Sequence, residues 1–162
     1  IMKLFFTLFF FLNTFSTPEL SEIRKMYPKV AVSENSIKAF QDKLSDVNLE
    51  SNKVLVAYKG ASIVMFTKYI KKMPEKKQNF KEGVKWIESA VKSKPDNIEI
   101  RMIRLGVQEN TPKIAKYNTN ISEDKKFIIA HYNEESGSFK EYIKNFILTS
   151  KSFSEAEKAT YK

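Results

Sequence analysis

The sequence predicts an all-α protein of six or seven helices, and three observations carry that reading. Apolar residues recur at three- and four-residue steps in one segment after another. Only 4 glycines and 5 prolines occur in 162 residues, too few turn formers for a sandwich or barrel of many short strands. The segments are divided by Pro, Asn, Asp, Ser and Gly at positions suited to helix ends. A hydrophobic fraction of 42% with 13% aromatics supplies a core and argues against disorder.

The chain begins with a different pattern. Lys3 precedes an apolar run over residues 4–12, followed by Asn13-Thr14-Phe15-Ser16 with small residues at alternate positions. This matches a secretory signal peptide, residues 1–16, cleaved near Ser16. As a helix the run reaches about 14 Å against a hydrocarbon core of about 30 Å, too short to span. The competing reading is a buried N-terminal helix. Cleavage leaves residues 17–151 as a single helical domain and 152–162 as a polar helix or tail, enough chain for one core. The expected location is bacterial and exported, periplasmic or secreted. With no cysteine, neither a disulfide nor a lipid-modified cysteine can form, so no stable membrane anchor is expected after cleavage.

Thr17-Pro18 can cap and start a short first helix ending at Tyr27-Pro28. Ile37, Phe40, Leu44 and Val47 mark a second helix over residues 33–47. Residues 54–69 are apolar over a broad arc, with Leu55, Tyr58, Ser62, Met65 and Tyr69 on one stripe, as in a central buried helix. The same stretch around Lys59-Gly60 also fits a β-hairpin. Residues 71–77, lysine-rich and broken by Pro74, read as an exposed linker or as a polybasic patch for a membrane surface. Asn79 and Glu82 stand at capping-box spacing before a helix whose core face is Phe80, Val84, Ile87, Ala90 and Val91. Asp96 and Glu99 repeat that spacing before a fifth helix reaching Gln108. Thr111-Pro112 stops it, and an irregular crossing leads to Asn120. Ser122 opens a sixth helix with Phe127, Ile128, His131 and Tyr132. Ser138 and Glu141 box the start of a seventh, with Phe139, Tyr142, Ile143, Phe146 and Ile147 as its stripe. Residues 154–162 form a last polar helix or tail that frays.

Small Gly83, bulky Ile87, small Ala90 and the turn Pro95-Asp96-Asn97, with Ala57, Gly60 and Ala61 before them, resemble part of a tetratricopeptide repeat. The resemblance covers residues 54–108. It implies antiparallel helical hairpins and a protein-binding or scaffolding role. Ala57-Tyr58-Lys59-Gly60-Ala61, residues 95–104 and Asn110-Thr111-Pro112 also look like segments of exported bacterial proteins of this helical class.

The chain carries a formal charge of +9, or +8 without Lys3. Only Arg24, Arg101 and Arg104 are arginines; scattered lysines do not offer bidentate phosphate or base recognition, so nucleic acid is not the expected partner. One histidine and no cysteine leave no usual zinc ligand set, and no Gly-x-Ser-x-Gly elbow accompanies His131. Lys59-Gly60-Ala61-Ser62 lacks the upstream glycine of a phosphate loop. Trp86 lies one position off the core stripe, packed in or flanking a groove. No cofactor and no metal are expected, and no residue is assigned a catalytic role.

The strongest constellation lies on the fifth helix. At 100° per residue, Asn97, Arg101, Arg104 and Gln108 fall within about 60°, while Ile98, Ile100, Met102, Ile103, Leu105 and Val107 fill most of the rest. A helix apolar nearly all round is buried, so its one polar ridge meets a ligand or buried acids. The binding reading makes the chain a non-enzymatic protein that takes another envelope protein or peptide along Asn97, Arg101, Arg104, Gln108, Tyr117 and Asn118. The internal reading pairs each arginine with an acid of a neighbouring helix. Two further classes stay open: a small exported hydrolase using paired carboxylates such as Glu123-Asp124 or Glu134-Glu135, and a basic module adhering to anionic lipid or polysaccharide.

Overall fold

A computed structural model describes residues 18–162; the expected signal peptide and the capping role of Thr17 lie outside the described residues. Within them all regular structure is helical. The elements are α1 Leu20–Met26, α2 Glu34–Lys43, α3 Lys53–Phe66, α4 Met73–Ser93, α5 Ile98–Asn110, α6 Ile121–His131, α7 Gly137–Thr149 and α8 Glu155–Ala159, joined by short 3-10 turns. That is one helix more than the upper expectation, and the hairpin alternative for the Lys59-Gly60 stretch gives way to α3.

Several boundaries differ from the sequence reading, each for a local reason. Helix α1 ends at Met26, at the expected Tyr27-Pro28 boundary, but the chain there enters a 3-10 helix, Tyr27–Val32, with Pro28 in its first turn, where its missing N–H has no partner to lose. Pro74 does the same at the head of α4, so most of the expected linker is the first two turns of a 21-residue helix. Asn79 consequently lies inside α4 and caps nothing; its Nδ2 donates to the Ile63 carbonyl across the α3–α4 contact at 2.7 Å. The cap of α5 is Asn97, whose side chain accepts from the Ile100 N–H at 3.0 Å, one residue beyond the expected Asp96. Helix α7 starts at Gly137, whose φ of +59° suits glycine, and Ser138 and Glu141 form no box. The capping box that does form is Ser154 with Glu157 on α8. Phe153 is buried, and Tyr161 packs edge-on to Tyr132 at 4.9 Å, so the last residues are docked against the body.

Helices α3 and α4 meet at glycines. A Cβ on Gly60 would lie 2.7 Å from the Gly83 carbonyl, and one on Gly83 would lie 2.7 Å from the Gly60 carbonyl. Only the absence of both side chains lets the backbones approach so closely. Ile63 faces Asn79 while Gly60 faces Gly83 and Ile87, so contacts along this pair run in opposite sequence order.

Helix α5 is the centre of the molecule. Ile100, Ile103 and Val107 join a core with Ile23, Phe40, Tyr58 and Ile87, while Ile98, Met102 and Leu105 join a second with Ile128, Ile143, Ile147 and Phe153. Its circumference is filled from both sides, as its near-continuous apolar surface requires. What remains is the polar ridge, and the fold aims that ridge at α4, α6 and the crossing of residues 112–120.

Candidate functional site

Asp124, in the first turn of α6 and 0% exposed, is the focus of the ridge. Arg104, 4% exposed, donates to it through Nε at 2.7 Å and Nη2 at 2.6 Å, the two-pronged geometry that only arginine offers a carboxylate. A second edge of the same guanidinium donates to Glu88 of α4 at 3.2 Å. Arg101 donates to the Pro95 carbonyl at 2.8 Å, to Glu123 at 2.5 Å and to Asp124 at 3.0 Å. Burial pushes the Arg104 pKa down, but the hydrogen bonds and charges of Asp124 and Glu88 outweigh it and hold the group above its ordinary value. Hydrogen bonds from Arg101 and Asn120 hold the Glu123 carboxyl below the usual range.

The remaining predicted residues divide into three roles. Asn97 caps α5, and Gln108 clamps Asn120, donating Nε2–H to Oδ1 at 3.3 Å and accepting the Asn120 N–H at 3.2 Å. Tyr117 donates to Glu88 at 2.6 Å and lies edge-on to Phe80 at 6.1 Å. Asn118 is exposed. The contacts follow the internal reading of the ridge: two arginines face three acids of this same chain, Glu88, Glu123 and Asp124. That cluster carries no surplus positive charge with which to grip an anionic ligand. Its mechanical effect is to staple α4, α5 and α6 together and to hold the second half of the crossing, at Tyr117 and at Asn120.

A second buried network escaped the sequence reading. Glu99, expected in a capping box, is instead nearly sealed from solvent. It accepts from Arg24 Nε at 2.8 Å and Nη2 at 2.6 Å, and from the Tyr58 hydroxyl at 2.6 Å. With its own proton given to Glu99, the Tyr58 oxygen accepts from Tyr142, 2.9 Å away. The Arg24 guanidinium also lies over the Phe139 ring at 4.2 Å, an added attraction for a partly desolvated cation. The sole sequence signal for this network was acid content at Glu99; its partner is 75 positions away.

Burial, followed by the Glu99 charge, raises the Tyr58 pKa. Burial also raises Tyr117, together with its bond to Glu88, and lifts Tyr142 to about 12. Below about pH 10 these phenols are neutral both folded and unfolded, so they leave stability unchanged. Above it the unfolded chain ionises first, and stability falls as pH rises toward the folded values. Unfolding midpoints in urea should therefore drop steeply between pH 10 and 12, and Tyr58→Phe should flatten that drop. A midpoint that stays level across this range would contradict the linkage.

The crossing itself is where the surface differs from its surroundings. Residues 112–116 are all exposed. Lys113–Ala115 form a single 3-10 turn closed by Lys116, whose φ is +52°. Ile114 at its tip is 92% exposed, flanked by Lys113 and Lys116. His131, by contrast, stacks on Phe127 at 4.2 Å and meets Glu134 at 2.9 Å, and Trp86 lies under the Lys59 ammonium at 5.0 Å. A shallow, open hollow of about 440 Å³ is lined by residues around Asn52 and Asn97. Both asparagines already cap helix N-termini there. No family model, no curated protein and no solved structure matches this chain, so its function is argued from this geometry.

Proposed function

We propose that this chain is a non-enzymatic helical module, acting in the cell envelope after export, that binds a partner of negative charge through the crossing of residues 112–120. The observation that carries this reading is Ile114, 92% exposed between two lysines on a turn whose C-terminal side is held by the half-buried Tyr117–Glu88 and Asn120–Gln108 contacts. The isoleucine is read as a contact point because it stands with two exposed lysines, Lys113 and Lys116, that form no ion pair among the described residues. The tetratricopeptide-like pattern of residues 54–108 supports a binding role of the same kind, with the hairpins as scaffold. The arginine ridge then acts at one remove, positioning the crossing, and Tyr117 and Asn118 lie at the margin of the contact.

The test compares two triple charge reversals of equal net charge. Replacing Lys81, Lys113 and Lys116 by Glu should lower the salt concentration needed to elute the protein from immobilised poly-L-glutamate. Reversing Lys25, Lys29 and Lys162, exposed elsewhere, should lower it much less. Equal losses in the two triple variants would reduce the interaction to undirected net charge and end the proposal.

A further inference from the structure

The chemistry of this surface selects among negatively charged partners. Protein interfaces draw most of their affinity from buried aromatic and arginine anchors. Here Arg24, Arg101 and Arg104 all bind acids inside the molecule. The exposed large hydrophobics of the described residues are aliphatic, Val32, Leu49, Met73, Ile114 and Ile129. The surface offers lysines instead, point charges suited to a diffuse layer of headgroups rather than to bidentate recognition.

Those lysines are arranged along one edge. At 100° per residue, Lys77, Lys81, Lys85 and Lys92 fall within about 80° on α4. They border the row Phe80, Val84, Glu88, against which Tyr117 of the crossing is seated. All four are exposed, as are Lys113 and Lys116, and none forms an ion pair among the described residues. No acid occurs between Thr111 and Ser122, so nothing on the crossing offsets the charge. Ile114 projects from this edge rather than lining a groove. An aliphatic tip among unpaired lysines is the pattern that enters the headgroup region of a bilayer while the ammonium groups stay at its surface.

We propose that the Lys113–Ala115 turn and the lysine stripe of α4 dock on an anionic lipid bilayer, with Ile114 entering its interface. This rests on the reading of the crossing as the contact surface and names what that surface contacts.

The absence of cysteine gives a direct probe: Ile114→Cys carries a single nitrobenzoxadiazole label at the tip, and Ile129→Cys, 38% exposed on α6, carries the control label. The labelled full chain is mixed with vesicles of phosphatidylcholine alone or with one quarter phosphatidylglycerol. The tip label should shift to the blue and brighten only with the anionic vesicles, and the control label should not move. Each lysine near such a surface contributes about fivefold in affinity, so Lys113→Gln with Lys116→Asn should weaken vesicle binding about 25-fold, Asn being chosen to tolerate the left-handed backbone at 116. Ile114→Ser should weaken it about tenfold without altering its salt dependence. If the tip label stays unshifted while retention on poly-L-glutamate still depends on Lys113 and Lys116, the lipid assignment falls and the contact surface stands. If both responses are absent, both proposals fall.

Discussion

Asp124→Ala should destabilise the protein by about 3–5 kcal/mol, the size of effect seen when one member of a buried charge pair is removed. Arg104 would keep its charge at 4% exposure with only Glu88, 3.2 Å away, and a distant Glu123, while Arg101 would lose one of its two carboxylates. A loss of that size is a large share of the 5–15 kcal/mol that holds a domain folded. It would appear as a lower urea midpoint with an unchanged slope. The second half of the test is Asp124→Leu combined with Arg104→Met. Removing both charges and filling the space with apolar side chains should recover most of the loss. A double variant as unstable as the single one would mean that the carboxylate is needed for something other than neutralising the arginine.

Gly60→Ala should cost about 3 kcal/mol, although alanine is the better helix former by about 1 kcal/mol. The new methyl group would sit 2.7 Å from the Gly83 carbonyl oxygen and 2.8 Å from atoms of Ile87 and Trp86. The first of these is backbone and cannot swing aside, so α3 and α4 must separate along their length. Gly106→Ala is the built-in comparison, because its methyl would meet only the Phe146 ring, at 3.2 Å. A small tilt of that ring lets the propensity gain offset the crowding, and the net change should stay within about 1 kcal/mol. Thermal unfolding of the two variants side by side checks the argument; a similar midpoint shift in both would mean the helix–helix contact is looser than its glycines imply.

The helices were legible because their signal is local: Ile37 and Phe40, or Ile143 and Ile147, repeat the 3.6-residue period without reference to the rest of the chain. Their ends were less so, since a cap competes with tertiary demands. Glu99 has the spacing of a capping acid after Asp96, yet Arg24 and Tyr58 draw it into the core, and the start moves to Asn97. Pro74 looked like an interruption because proline ends helices from within but begins them equally well. At the candidate site, the sequence placed Arg101, Arg104 and Gln108 on one ridge correctly. It could not name Glu88 and Asp124 as their partners, because a pairing 16 or 20 positions apart depends on how three helices cross. Ile114 carried no periodic signal at all; its meaning comes from a turn that lifts it into solvent.

Helix α5, claimed by two cores at once, makes this chain indivisible. A break anywhere along residues 111–120 would leave the front fragment with Met102 and Leu105 bare on one side, Arg101 without its carboxylates and Arg104 with Glu88 alone. The rear fragment would hold a half-shell of isoleucines around nothing. Insertions beside the tip would leave the packing intact, but the two halves cannot be dealt out to different proteins without undoing the second core.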